Sequence, residues 1–396
     1  MKIFKYTFLI MFFVFVIPVF SQTASIPWWL SLEYGKQRFR AGDYGDALIL
    51  FEDARRDRRA MYEHMEKEFI TFLSMHEVRR LNDHLDWVER YAKERLYSSI
   101  TSSLEELYYR VDKASLKNSA TAAIGTFRKL KDFPEAEYWI GEVYRVEGEL
   151  PLALMQYNRA YDMRENLENP DFALTIKYNI SSILRTRQDY AGMERTLQSI
   201  VAEYDTLWIN AGRAEIHKLT HPATGRGSSP VPYEQAEANF TRNAMKKTIE
   251  KDGFNHFLVL YRYNNITVEQ AHRLLGFHYV VTGRSSAQDH LMFAFLIQNS
   301  IIIEELRRRQ YDFIYTDLQS LSKEINRIEI LLSFIDEVEY YKTAYYLAAS
   351  LFRNNNAAVA RNIWEFLASE PQAGQWQGRA QEQLRNPRTE TIITMP

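Results

Sequence analysis

The chain has 396 residues, 49 basic against 51 acidic side chains, no cysteine, and a composition that is 46% hydrophobic and 14% aromatic. Its fifteen glycines and eleven prolines are about half the usual share for a globular chain, which excludes sandwiches, barrels and doubly wound sheets that need a turn every ten residues or so. The hydrophobic content at near-zero net charge excludes a disordered chain, and the charge balance excludes a global field that would recruit nucleic acid.

At the start of the chain, Lys2 and Lys5 precede an apolar run from Tyr6 to Phe20, followed by Ser21. This is the pattern of a secretory signal peptide over 1–21, cleaved before Gln22 and too short for a comfortable membrane span of ~20 residues. With no cysteine at the cleavage site, the expected product is not a lipoprotein. It is an exported protein of the bacterial periplasm. No later apolar run is long enough for a transmembrane segment, and peripheral membrane association stays open.

Six glycines fall into pairs seven residues apart: Gly35/Gly42, Gly141/Gly148 and Gly276/Gly283. The first of each pair lies inside an amphipathic pattern, where glycine costs about 1 kcal/mol against alanine and so predicts close approach of a second helix. The second is predicted to adopt the left-handed conformation that stops the helix. Small and aromatic residues then follow at matching offsets: Ala47, Phe51 and Ala54 after Gly42, and Ala153, Tyr157 and Ala160 after Gly148. After Gly283, Gln288 and Met292 take the alanine and aromatic places.

Two degenerate copies share the register. One runs through Ile180, Leu184, Asp189-Tyr190 and Leu197, with Ser181 and Gln188 in place of the glycines and Met193 in place of the alanine. The other runs through Leu347, Ala348, Leu351, Ala360, Trp364 and Leu367 to Pro371. Ala123, Phe127, Leu130 and Phe133-Pro134 read as the second helix of a unit just before Gly141.

These residues resemble the tetratricopeptide repeat, over about half of the chain. Glu137 stands where that family prefers tryptophan. The resemblance implies an all-α fold: a helical-hairpin solenoid wound as a right-handed superhelix, interrupted by long helices and closed by a C-terminal capping helix. The expected organisation is an N-terminal array over 22–203, an irregular or helical connector over 204–265, a C-terminal array over 266–386 and a tail over 387–396. Long helices between Asp46 and Asn118, broken near Asn82-Asp83, interrupt the first array. The connector carries the densest breaker cluster, Thr224 to Pro232. The cap is expected at about Ala373 to Leu384.

The search for chemistry yields no site. Thr224 to Ser229 lacks the Lys-Ser or Lys-Thr of a phosphate-binding loop, and His217 with His221 lacks the order and third ligand of a zinc site. His76-Glu77 with His84 fails in the same way. Ser285, Ser286, Asp289 and His290 are hydrolase residue types at a repeat turn, where serine is expected to cap a helix. Leu154-Met155-Gln156 faintly echoes lytic transglycosylases, yet no glutamate followed by serine precedes it. No catalytic residue, cofactor or metal is expected.

What remains is a surface. On the first helix of each unit, the face opposite the second helix repeats at three and four residues. It carries Trp29, Lys36 and Arg40, then Tyr138, Glu142 and Arg145, then Tyr178 and Arg185. Further on it carries Arg273 and Phe277, and finally Tyr345, Phe352 and Arg353. Aromatic and arginine side chains are enriched at binding hot spots. The sequence therefore points to an exported scaffold or adaptor that binds a protein or peptide partner in a concave groove of the cell envelope. The alternative is a small-molecule or cell-wall glycan binder on the same scaffold.

Overall fold

In the computed structural model, which describes residues 26–75, 125, 127–205, 233–260 and 262–390, every regular element is helical. The chain divides into two units, Met1–Ile176 and Lys177–Pro396. The first contains α1 (Trp28–Ala41), α2 (Tyr44–Met75), α3 (Pro134–Val146), α4 (Leu150–Asp162) and the start of α5 (Phe172–Thr186). The second continues α5 and adds α6 (Tyr190–Tyr204), α7 (Tyr233–Leu260), α8 (Ile266–Val281) and α9 (Ala287–Arg309). It ends with α10 (Leu318–Ile325), α11 (Glu329–Glu337), α12 (Tyr340–Arg353), α13 (Ala357–Ala368) and α14 (Gln375–Arg385). The expected signal peptide, the break at Asn82-Asp83, the loop Thr224 to Pro232 and the histidines at 76, 84, 217 and 221 lie outside the described residues.

Five helices end in one and the same turn. After α1, α3, α5, α8 and α12 the chain places a left-handed residue: Gly42, Gly148, Gln188, Gly283 and Asn355, with φ between 62° and 87°. In each case the next N–H reaches back five residues: Asp43 to Arg38 O (3.0 Å), Glu149 to Tyr144 O, Asp189 to Leu184 O, Arg284 to Tyr279 O and Asn356 to Leu351 O (each 2.8 Å). The left-handed residue itself donates to the carbonyl three back. Both bonds together make the Schellman motif, which satisfies orphan carbonyls and reverses the chain.

The turns create hairpins. α1 packs on α2, α3 on α4, α8 on α9 and α12 on α13. α5 and α6 are tied at their far ends by an ion pair between Lys177 and Glu203. The glycines inside the first helices explain how close these pairs come. A β-carbon on Gly35 would stand 2.5 Å from the Phe51 ring, and one on Gly141 would stand 2.9 Å from Tyr157. At Gly276 the neighbour is Leu291, 2.5 Å away, and not Met292 as the register predicts. α9 starts four residues after Gly283, whereas α2 and α4 start two after their glycines; the longer turn shifts the second helix by one residue.

Neighbouring hairpins meet through the second helix of one and the first helix of the next. α2 lies against α3 in the first unit; α6 lies against α8, and α9 against α12, in the second. α14 packs on α13 and caps the end of the described helices. α2 is a 32-residue helix and runs well beyond its partner α1, in line with the interruption expected there. Its outer part is held by Arg58, fully buried, whose Nε donates to Leu130 O at 3.0 Å while its guanidinium lies 4.3 Å from the Phe133 ring centre and 4.8 Å from that of Trp28. Within the span expected as an irregular or helical connector, α7 is a helix kinked at Gly253, whose φ of 84° no helix accommodates.

Candidate functional site

Of the thirteen residues expected on the binding face, five are buried, four are half-buried and four, Trp29, Arg40, Arg145 and Arg353, are exposed. In the first unit, Tyr138 is buried with its ring edge against Phe172 at 4.5 Å. Glu142 is buried too, accepting from the Tyr157 hydroxyl and from Arg145. Burial, followed by the bond to Glu142, pushes the Tyr157 hydroxyl well above its ordinary pKa. Lys36 pairs with Glu33 at 2.6 Å and lies 5.9 Å from the Trp139 ring. Trp29 and Arg40 remain exposed. Tyr138 and Glu142 are covered by Tyr157 of their own partner helix, with Phe172 against Tyr138.

In the second unit Tyr178 clamps α5 to α8: its hydroxyl donates to Thr267 O at 2.7 Å and accepts from the Ala271 N–H at 3.2 Å. Arg185 is half-buried and Arg353 exposed. Phe352 packs on Trp364 at 5.6 Å. Arg273, Phe277 and Tyr345, all buried, lie behind the wall of a cavity of about 550 Å³ among α11, α12 and α14: they do not line it but touch its lining residues Glu339, Tyr346 and Trp376.

That cavity is built from aromatic walls and opposed charges. Tyr340, Tyr341, Tyr346, Trp376 and Arg379 line it. The Arg379 guanidinium is stacked in a cage, 4.7 Å from the Tyr345 ring centre, 5.0 Å from Trp376 and 5.8 Å from Tyr346. Such cation–π contacts fix the plane of a cation and leave its N–H edges to donate. On the opposite rim sits Glu339, the left-handed residue (φ 48°, ψ 44°) that opens α12. A non-glycine residue there costs on the order of 1–2 kcal/mol.

Two cations meet the Glu339 carboxylate. Arg273 Nη1 and Lys342 Nζ each reach it at 2.6 Å. Burial raises the Glu339 pKa, but Lys342 and Arg273 outweigh it and hold the carboxyl below its usual range. Behind it, Glu269 is buried and its pKa is raised by that burial, against the pull of Arg273. Gln298 donates to both Glu269 (2.6 Å) and Val338 O (3.0 Å), anchoring the strained turn to α9. Lys342 also covers the Phe277 ring at 4.8 Å.

None of the groove residues expected from sequence lines this cavity, and Glu339, Lys342, Trp376 and Arg379, which do, are not among them. The spacing of Trp376 and Arg379, three apart on one helix face, is the signal that could have found them. The hydrolase residue types do not assemble: Asp289 pairs with Lys246 at 2.8 Å, and His290 meets His272 across 2.9 Å. Nor does Ser286 cap α9 with its side chain. Its backbone is already helical (φ −64°, ψ −9°), whereas a capping hydroxyl needs an extended residue. The first unit holds a larger cleft, of about 720 Å³, whose four arginines face four carboxylates and which none of the expected groove residues lines.

No family model matches the chain. It is similar to an uncharacterized protein of Treponema pallidum (strain Nichols), at 24% identity over 90% of this chain and 89% of the relative. An uncharacterized protein of Borreliella burgdorferi (strain ATCC 35210 / DSM 4680 / CIP 102532 / B31) is 18% identical, over 64% and 78% of the two chains. Among the described residues no helix is long and apolar enough to cross a membrane.

Proposed function

We propose that this chain is an exported helical-repeat scaffold or adaptor that binds a protein or peptide partner in the cell envelope. Its hairpins would belong to tetratricopeptide-like arrays winding as right-handed solenoids. The five identical Schellman turns and the stacking of second helix on next first helix support that reading, because each repeat must bury its face on a neighbour. Recognition without catalysis or cofactor is the mechanism.

The observation that carries the partner-binding reading is the cavity at α11, α12 and α14. A caged arginine, a second cation at Lys342 and four aromatic walls are the side-chain types that anchor binding hot spots. The aromatic faces nearest Arg379 are already covered by it, which favours a polar peptide over a sugar ring stacking there. Affinity capture with the mature chain from envelope extract tests this. A specific protein retained by the native chain and lost from an Arg379→Glu variant is the expected result. Retention of a glycan or small molecule instead, or capture indifferent to Arg379, overturns it. Fractionation of the source cells, with the chain found processed and outside the cytoplasm, tests export.

A further inference from the structure

Beside the Arg379 cage, the chain folds back on itself. Residues 386–390 leave α14 without regular structure, with 386–389 exposed. Glu390 alone turns inward, its side chain only 13% exposed. Its two oxygens meet three donors of different kinds. Arg379 Nη2 donates to Oε2 at 3.0 Å, the Tyr345 hydroxyl donates to Oε1, and Gln383 Nε2 approaches Oε1 at 3.4 Å.

The donors are built into the fold, whereas their acceptor is not. Tyr345 is fully buried on α12 and Gln383 is 2% exposed on α14. Arg379 is fixed by its three aromatic neighbours. Buried donors that converge on one point demand an acceptor, and a guanidinium among them demands an anionic one. The segment supplying it is held otherwise by little: the Arg388 N–H to Gln383 Oε1 at 2.9 Å, and an exposed pair between Arg388 and Glu382. Glu390 also borders a small cleft with Arg353 and Asn354, and with Arg284, which Glu194 pairs at 2.5 Å, so Arg353 is the cation that lies past it at the end of α12.

We infer that Arg379, Tyr345 and Gln383 form a carboxylate site for an acidic side chain in an extended segment of a partner protein, and that Glu390 occupies this site in the free chain. The partner segment runs where 386–390 lies, and a second acidic residue meets Arg353. The stripe Tyr345, Phe352 and Arg353 then serves a partner only after the chain's own glutamate leaves. Binding is weakened in proportion to how firmly Glu390 competes.

This rests on the reading of the chain as a peptide-binding protein, and it can fail by itself if the partner docks elsewhere. The test uses a fluorescein-labelled synthetic copy of residues 386–396, and the same peptide with glutamine at its single glutamate. Binding to the full native chain and to its Glu390→Gln variant is measured by anisotropy, with melting curves confirming that the variant is folded. The glutamate peptide is expected to bind the variant about tenfold more tightly than the native chain, the scale of a charge-assisted contact. The glutamine peptide is expected to lose about that factor, which tests the contact without altering the protein. Equal binding to both chains, no binding to the variant, or equal binding of both peptides overturns the inference. A partner captured through another surface alongside such a result would leave the broader function standing.

Discussion

Gly141 of α3 and Tyr157 of α4 occupy one another's space: a β-carbon on the glycine would stand 2.9 Å from two carbons of the tyrosine ring. The ring cannot retreat. It is fully buried, and its hydroxyl donates to the buried Glu142 one residue beyond the glycine. Gly141→Ala therefore forces the hairpin apart and is expected to destabilise the protein by about 1–2 kcal/mol, overpacking outweighing the gain in helix propensity. Gly378 of α14 is the control, since a β-carbon there meets nothing within 4 Å. Gly378→Ala is expected to stabilise by ~0.5–1 kcal/mol. Urea denaturation of both variants checks the difference in sign.

The five Schellman turns make a second test. Gln188 holds the same left-handed position as Gly42, Gly148 and Gly283, at φ 62°, with its side chain exposed. An L side chain there costs roughly 1–2 kcal/mol that glycine avoids, less the extra entropy glycine gives the unfolded chain. Gln188→Gly is expected to raise stability by about 1 kcal/mol. Asn355→Gly should gain less, because asparagine tolerates this region better than glutamine. A Gln188→Gly chain no more stable than the native one would show that the turn is not strained.

The hairpins were legible because glycine marks them twice, once by space and once by φ. Gly35, Gly141 and Gly276 are each followed seven residues later by a left-handed stop, and each admits its second helix, Gly276 against Leu291 where the register predicts Met292. Gln188 and Asn355 do the same job with a side chain, so they carry weaker marks. The expected groove was less legible. Helical periodicity says that Tyr138 and Glu142 share a face of α3, and Arg273 and Phe277 a face of α8, but not whether solvent or another helix covers it. Glu339 left no mark in the sequence: glutamate is not a type that favours a left-handed backbone, and its partners Arg273 and Lys342 come together only in the fold.

The Tyr340 hydroxyl donates to Asn299 Oδ1 at 2.8 Å in the interior between α12 and α9, and both residues are buried. Asn299 also donates to Phe295 O at 2.7 Å, so its amide is oriented by its own helix. Tyr340→Phe removes the donor and leaves a buried acceptor, at an expected cost of about 1–3 kcal/mol. Adding Asn299→Leu removes the orphan as well. The double variant is expected to be less damaged than the sum of the two single changes, because partners in one bond are not additive. Additive losses in a double-mutant cycle would mean that the bond does not couple α9 to α12.

Acid should act on the Glu339 turn with a definite sign. The two cations hold the Glu339 carboxyl below its ordinary 4.5 in the folded chain, so below that value the unfolded chain binds more protons and stability falls with pH. The contribution is fully present above 4.5 and is lost as the pH drops through the folded value. Glu339→Gln should therefore lower the melting temperature near neutrality and flatten its decline in acid. Glu269 works the other way. Burial raises its pKa above 4.5, so its contribution is present below 4.5 and is lost as the pH rises through the folded value. Glu269→Gln should then reduce the dependence of melting temperature on pH above 4.5 while leaving the acid limb in place. Melting curves from acid to neutral pH for both variants separate the two carboxyls. A Glu339→Gln chain that declines in acid as steeply as the native one would show that Arg273 and Lys342 do not hold this turn through its charge.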